Sequence, residues 1–223
     1  MNTSTLYRLS AVALIASCVL SLVGGVLHPI VDGNAHSAAS FLAPRSPWSQ
    51  YLIYAGAVAL MLGLPGGYLY FRDRLGVVGF VGFALYMVGN ALSAMAHLVV
   101  EAFVGPMLAG DPDARHLVPT DGSIVDSSSF LLLQAVGGLV FVAGLVLIGI
   151  ALVRGRGLPT GLGAFLVVGA LAVMVPFPER EGFTGLLVEL PRGLTVAVLG
   201  LMILRGTGRS SFPAPREMAV SAS

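Results

Sequence analysis

The sequence predicts an all-α integral membrane protein: a six-transmembrane-helix bundle, N-in/C-in, with short inner loops and two long outer loops. Three observations predict it. Of 223 residues, 56% are hydrophobic and 10% are charged, with a mean hydropathy of +0.90. Soluble domains carry roughly 25% charged residues, so this chain lacks the polar groups to cover an aqueous surface and needs lipid against much of it. Six apolar stretches reach the ~20 residues needed to cross hydrocarbon. Finally, the arginines alternate from one side to the other along the chain.

The spans are read at 6–27, 50–71, 76–100, 130–153, 158–177 and 183–204. Lipid leaves no outside partner for backbone polar groups, so each span is helical. Strand alternation is absent, which disfavours a β-barrel. Residues 1–205 form one membrane domain, and the polar tail 206–223 is expected to be a disordered cytoplasmic segment.

Orientation follows from the basic residues. Arg8, Arg72, Arg74, Arg154, Arg156, Arg205, Arg209 and Arg216 fall on one side, with only Asp73 and Glu217 as acids. The remaining segments hold four arginines and nine acids. Both termini are therefore placed in the cytoplasm of a cell-membrane protein. Aromatics agree at the second span, with Trp48 and Tyr51 at its outer end and Tyr68, Tyr70 and Phe71 at its inner end. Tyr51 to Tyr68 rises about 26 Å, close to the hydrocarbon thickness.

Absent residues exclude chemistry. All twelve basic residues are arginines, which rules out Schiff-base lysine mechanisms. Cys18 is the single cysteine, so there is no intramolecular disulfide, CxxC pair or thiolate cluster. Ile15-Ala16-Ser17-Cys18 matches the pattern before a lipidated bacterial cysteine. Because the apolar run continues to Leu27 without a polar tether, a membrane helix is the better reading. Lipidation would leave five spans with the same orientation. The lysine-free, arginine-only basic set has the look of small polytopic bacterial membrane proteins.

The inner ends of the second, fourth and sixth spans share a glycine five residues before an arginine: Gly67/Arg72, Gly149/Arg154 and Gly200/Arg205. The 82-residue offset between Gly67 and Gly149 also pairs Gly79 with Gly161 and Phe83 with Phe165. Hairpin duplication would produce this, but interface rules and abundant glycine also do, and the latter is preferred. Gly63/Gly67 and Gly157/Gly161 have the GxxxG spacing of close helix contacts. Outer connections 31–49 and 104–129 are long enough to be functional or disordered, and 126–129 offers helix N-cap chemistry.

Polar groups inside the spans are the informative residues, because they face a bundle interior or an aqueous cavity. Asn90, Ser93, His97 and Glu101 share an arc of about 80° on the third helix. Ser10, Ser17, Ser21 and His28 share one of about 40° on the first. On the sixth, Glu189 and Arg192 flank Pro191, whose ring removes a helical hydrogen bond. Gln134, Gln50 and Tyr54 lie at similar outer depth, and all four histidines (His28, His36, His97, His116) fall on the outer side. The expected pocket is His28, Tyr54, Asn90, His97, Glu101, Gln134, Glu189 and Arg192. His97 and Glu101 are the catalytic candidates as an acid–base pair, and with His28 they are the metal candidates. An interhelical hydrogen-bond cluster is the plain structural alternative.

No nucleophile turn, His-Glu-x-x-His helix, P-loop, dinucleotide fingerprint or DNA-binding pattern occurs. Too few histidines lie within the spans for a two-haem site. No motif requires a cofactor, and whether the chain is an enzyme stays open. The leading reading is small-molecule or ion handling through an outward-facing pocket. A membrane-embedded His/Glu enzyme on a lipid-like substrate, with or without metal, is the alternative, and an accessory subunit is a third. Expected partners are the bilayer and a small-molecule or lipid ligand, with homo-oligomerisation open and nucleic acid excluded.

Overall fold

The computed structural model describes residues 2–118 and 127–209, whose named elements are all helices, with no named strand among them. Four of the described helices are long and apolar enough to cross a membrane. α1 spans Thr3–Leu27, its first turn capped by the Asn2 side chain accepting from Ser4 N at 3.2 Å. It stops at His28 because Pro29 disfavours helical backbone in the residue before it. A five-residue helix, α2 (Ala38–Leu42), lies in the connection to the next long element.

α3 runs from Ser46 to Val99 and is broken at Gly76, whose φ of 57° and ψ of −159° lie outside the helical region. A straight helix of that length would reach about 80 Å, far beyond any bilayer. Gly76 instead folds it into two antiparallel arms. Tyr68 stacks near Phe83 with ring centroids 5.9 Å apart, and Asn90 Nδ2 donates to Ala57 O at 3.2 Å. The second and third expected spans are thus one helix folded back on itself.

Beyond Val99 the helix does not stop at 100 as expected. It passes through a π-helical turn (Val100–Val104) into α4 (Gly105–Gly110). Part of the presumed loop 104–129 is therefore helical, and a short 3-10 turn follows at Arg115–Leu117. α5 spans Ser128–Arg154 from Ser127, which makes no side-chain capping bond, while Asp126 lies outside the described residues. α6 covers only Thr160–Ala172. At about 20 Å it is shorter than the expected fifth span, because Pro176 and Pro178 keep the following segment extended. α7 runs from Phe183 through Arg209, so the helix continues past 205 into the expected tail; residues 210–223 lie outside the described part.

Glycines set how the helices meet. A Cβ on Gly56, Gly63 or Gly66 of the first α3 arm would strike Ser21, Leu14 or Ser10 of α1. The serine stripe of α1 is therefore a packing seam, with Ser10, Ser17 and Ser21 buried, and only its terminal His28 reaches the polar cluster. Gly82 and Gly89 of the second arm press on Leu147 and Phe141 of α5, Gly149 meets Gly163 on α6, and Gly169 of α6 faces Pro191 of α7. Gly185 and Gly200 of α7 close against Gly25 and Ala11 of α1. The bundle is thus a ring: α1, the two α3 arms, α5, α6, α7 and back to α1. Arg8 Nη2 donates to Thr207 O at 3.0 Å, joining α1 to the C-terminal turn of α7.

Several expected likenesses dissolve at this level. Gly63 and Gly67 do contact α1, but Gly157 sits in a turn at φ +70° and a Cβ on Gly161 would meet no described atom within 4 Å. Phe83 is buried while Phe165 is exposed, so the paired positions have different surroundings. Of the inner aromatics, Phe71 is core and Tyr70 packs edge-on to Tyr7. Trp48 is 68% exposed, as an interfacial residue would be.

Candidate functional site

A cavity of about 270 Å³ opens at the end of the bundle opposite Gly76, among α1, both α3 arms and α7. Its centre is Glu101, 2% exposed, the second residue of the π-helical turn that follows the regular helix. π-turns of this kind widen the helix locally and recur at functional sites.

Four side chains converge on this carboxylate. Oε2 receives His28 Nε2 at 2.7 Å and the amide of Gln50. Oε1 faces His36 Nε2 at 3.3 Å and His97 Nδ1, one helical turn back. The donors come from the end of α1, the connection before α2, the start of α3 and the end of its second arm. A buried carboxylate is expensive unless its lone pairs are filled, and here both oxygens are filled from separate elements.

Local sequence explains how a loop residue reaches the centre. Asp32 and Gly33 both have positive φ, which turns the chain tightly between Val31 and Asn34. The Ser40 hydroxyl donates to Asn34 O at 2.6 Å and accepts from Val31 N at 2.9 Å. Asn34 Oδ1 accepts from His36 N at 2.7 Å, and Phe41 anchors the segment against Gly105, Val100 and Ala109. Ala35 N donates to Glu179 Oε2 at 2.6 Å, and Arg45 pairs with Glu181. The connection 31–45 is consequently an ordered cover tied to the segment before α7.

The opposite wall carries the second charged pair. Glu189 is 4% exposed and bonds Arg192 one turn on, across Pro191. Arg192 lies 5.3 Å from the centroid of the Phe141 ring. Glu189 Oε2 and Arg192 Nε are buried without a hydrogen-bond partner among the described residues, and both side chains line the cavity. Buried polar atoms are rarely left unpaired, since each costs on the order of 1–3 kcal/mol.

Of the expected pocket residues, His28, Asn90, His97, Glu101, Glu189 and Arg192 line this one cavity. Tyr54, 37% exposed, and Gln134 do not. Gln134 Nε2 is instead buried with no partner among the described residues. His36, Gln50 and Glu179 join the site from outside that set. For His36 the readable signal was the Asp32-Gly33 turn and the Ser37 cap beside it, which mark an ordered segment rather than a free loop.

No protein-family model, curated protein or solved structure matches the chain. What stands is a helical, membrane-like protein with a polar cavity at one end.

Proposed function

We propose that this chain is a six-span membrane protein, with both termini cytoplasmic, that takes up a small polar molecule or ion in a cavity opening to the outer side. The arginine alternation supports the orientation. It puts the Gly76 turn and Arg154 inside and the Glu101 cavity outside. The two α3 arms supply the second and third spans, and α6 with the segment that follows supplies the fifth.

One observation carries the functional reading: ionisable groups from four separate elements line a single cavity, and the buried Glu189 carboxylate still holds an oxygen with no described partner. Charged groups within spans are costly and commonly mark pathways for ligands or ions. A cluster serving only to pack helices would close on itself. Here His97 keeps 38% of its side chain accessible beside a carboxylate that is 2% accessible.

A membrane-embedded enzyme is the second reading, favoured by His97 bonded to Glu101 at the cavity wall. A carboxylate in that position orients an imidazole for proton transfer.

Native mass spectrometry of protein purified in mild detergent tests the main reading. The wild type is expected to retain a bound mass that is lost in His97→Ala and in the cavity-filling Ser93→Leu, with both variants still purifying as folded, helical protein. An empty wild type, or a bound mass indifferent to both substitutions, contradicts it.

A further inference from the structure

We propose that the cavity holds one divalent first-row transition cation of the zinc type, bound by His36 Nε2, a ring nitrogen of His97 and Glu101 Oε1. The inference rests on reading the cavity as a ligand pocket and names the ligand's chemistry. One potential ligand atom from each of the three residues lies within 4.8 Å of the others. Ligand atoms at about 2.0–2.1 Å around a tetrahedral cation stand roughly 3.3 Å apart, and His36 Nε2 is 3.3 Å from Glu101 Oε1. Two imidazoles and one carboxylate form a donor set suited to zinc, iron(II) or cobalt(II), and leave a coordination position open. That position faces the cavity, where water or a small donor molecule completes the shell.

The arrangement behind the ligands separates this site from a simple hydrogen-bond cluster. Glu101 divides its two oxygens. Oε1 faces His36 and His97, while Oε2 is held on the other side by His28 and Gln50. His28 uses both ring nitrogens, Nε2 on Glu101 and Nδ1 at 3.1 Å from Pro29 O. It is therefore a positioning residue that aims the carboxylate, and His36 takes the ligand place that sequence spacing offered to His28. Outer partners of this kind fix the direction of a ligating carboxylate. The 17% accessible His36 side chain and the 38% accessible His97 side chain flank the buried carboxylate and give a cation a way in. His36 is also carried on a cover pinned at Phe41 and Glu179, so the third ligand does not depend on helix packing alone.

The test uses full-length protein in detergent, stripped with chelator and titrated with Zn²⁺ and, separately, with Co²⁺ followed by its visible absorption. One equivalent per chain is expected, with a Co²⁺ spectrum of low coordination number. His36→Ala and His97→Ala should each abolish stoichiometric uptake. His28→Ala and Gln50→Ala should keep one equivalent but weaken affinity about 10–100-fold, and His116→Ala should change nothing. Folded wild type that takes up no metal, or metal that survives both His36→Ala and His97→Ala, overturns the site. A chain that retains a bound organic mass yet takes up no metal overturns this inference and leaves the pocket reading standing. A chain that binds neither overturns both.

Discussion

Gln50 donates to Glu101 across the α3 hairpin, and the two residues stand almost equally far along the chain from Gly76, 26 residues before it and 25 after. The turn at one end of the bundle therefore sets the register of the polar cluster at the other. A slip of one residue at Gly76 would rotate Glu101 by about 100° away from its donors.

Gly76→Ala is expected to cost about 1–3 kcal/mol, because φ of 57° with ψ near 180° is open to glycine and strained for other residues. A Cβ there would meet no described atom within 4 Å, so the loss would report the backbone alone. Gly161→Ala in α6 also has open space, with ordinary helical backbone. It should be neutral or stabilising by up to ~1 kcal/mol. Denaturant unfolding of both variants in the same detergent checks the pair, and equal stabilities would refute the hinge role.

Replacing Glu101 by Gln removes the charge and substitutes an N–H₂ group for one of two oxygens that four side chains face. The charge that strengthens all four contacts is lost, so stability should fall by about 1–3 kcal/mol. Asp113→Asn, on an exposed residue, should stay within ~0.5 kcal/mol of wild type. Thermal unfolding of the two proteins decides it, and equal midpoints would mean the cluster is not load-sharing.

The Glu189–Arg192 pair should behave as a unit. Removing one partner leaves the other charge buried, at a cost of about 3–5 kcal/mol. Glu189→Gln and Arg192→Gln should therefore each destabilise strongly, and the double variant should recover part of the loss. A double-mutant cycle with additive effects would show that the two do not interact.

At the cavity end, α1 and α7 touch through glycine, and a Cβ on Gly185 would lie 2.0 Å from Gly25 O. Gly185→Ala must push the helices apart and should cost at least about 1–3 kcal/mol. Gly138→Ala, with no described neighbour within 4 Å, is the control. An unfolding midpoint unchanged in Gly185→Ala would contradict the close contact.

The fold and the cavity were legible in the sequence to different degrees. Hydropathy identified the helices because a lipid-facing segment must be apolar along its whole length, and exposed Val12, Leu62 and Leu132 are the result. The His97/Glu101 face was readable because i,i+4 geometry is local. Nothing local connects His36 to Glu101, since that contact needs a loop turn at Asp32-Gly33 and a buried anchor at Phe41. The same limit left the neighbours of the α1 serines unspecified. Their shared face was legible, but not that a row of α3 glycines packs against it. Tyr54 and Gln134 were selected by depth along their helices, yet depth does not specify which face of a helix its neighbours cover. The helical extent of the fifth span was overread because hydropathy counts Val175 and Phe177 as membrane residues, while the helix ends at Ala172 ahead of Pro176 and Pro178.

The central claim is that the Glu101 cluster lines a cavity reached from outside the cell. It is tested most directly by placing single cysteines in a Cys18→Ser background and treating intact cells with a membrane-impermeant maleimide. Ser93→Cys, on the cavity wall, should be labelled from outside, as should Trp48→Cys, while Asp73→Cys should react only after permeabilisation. Labelling of Ser93→Cys only once the inner face is exposed, or from neither side, would contradict the account.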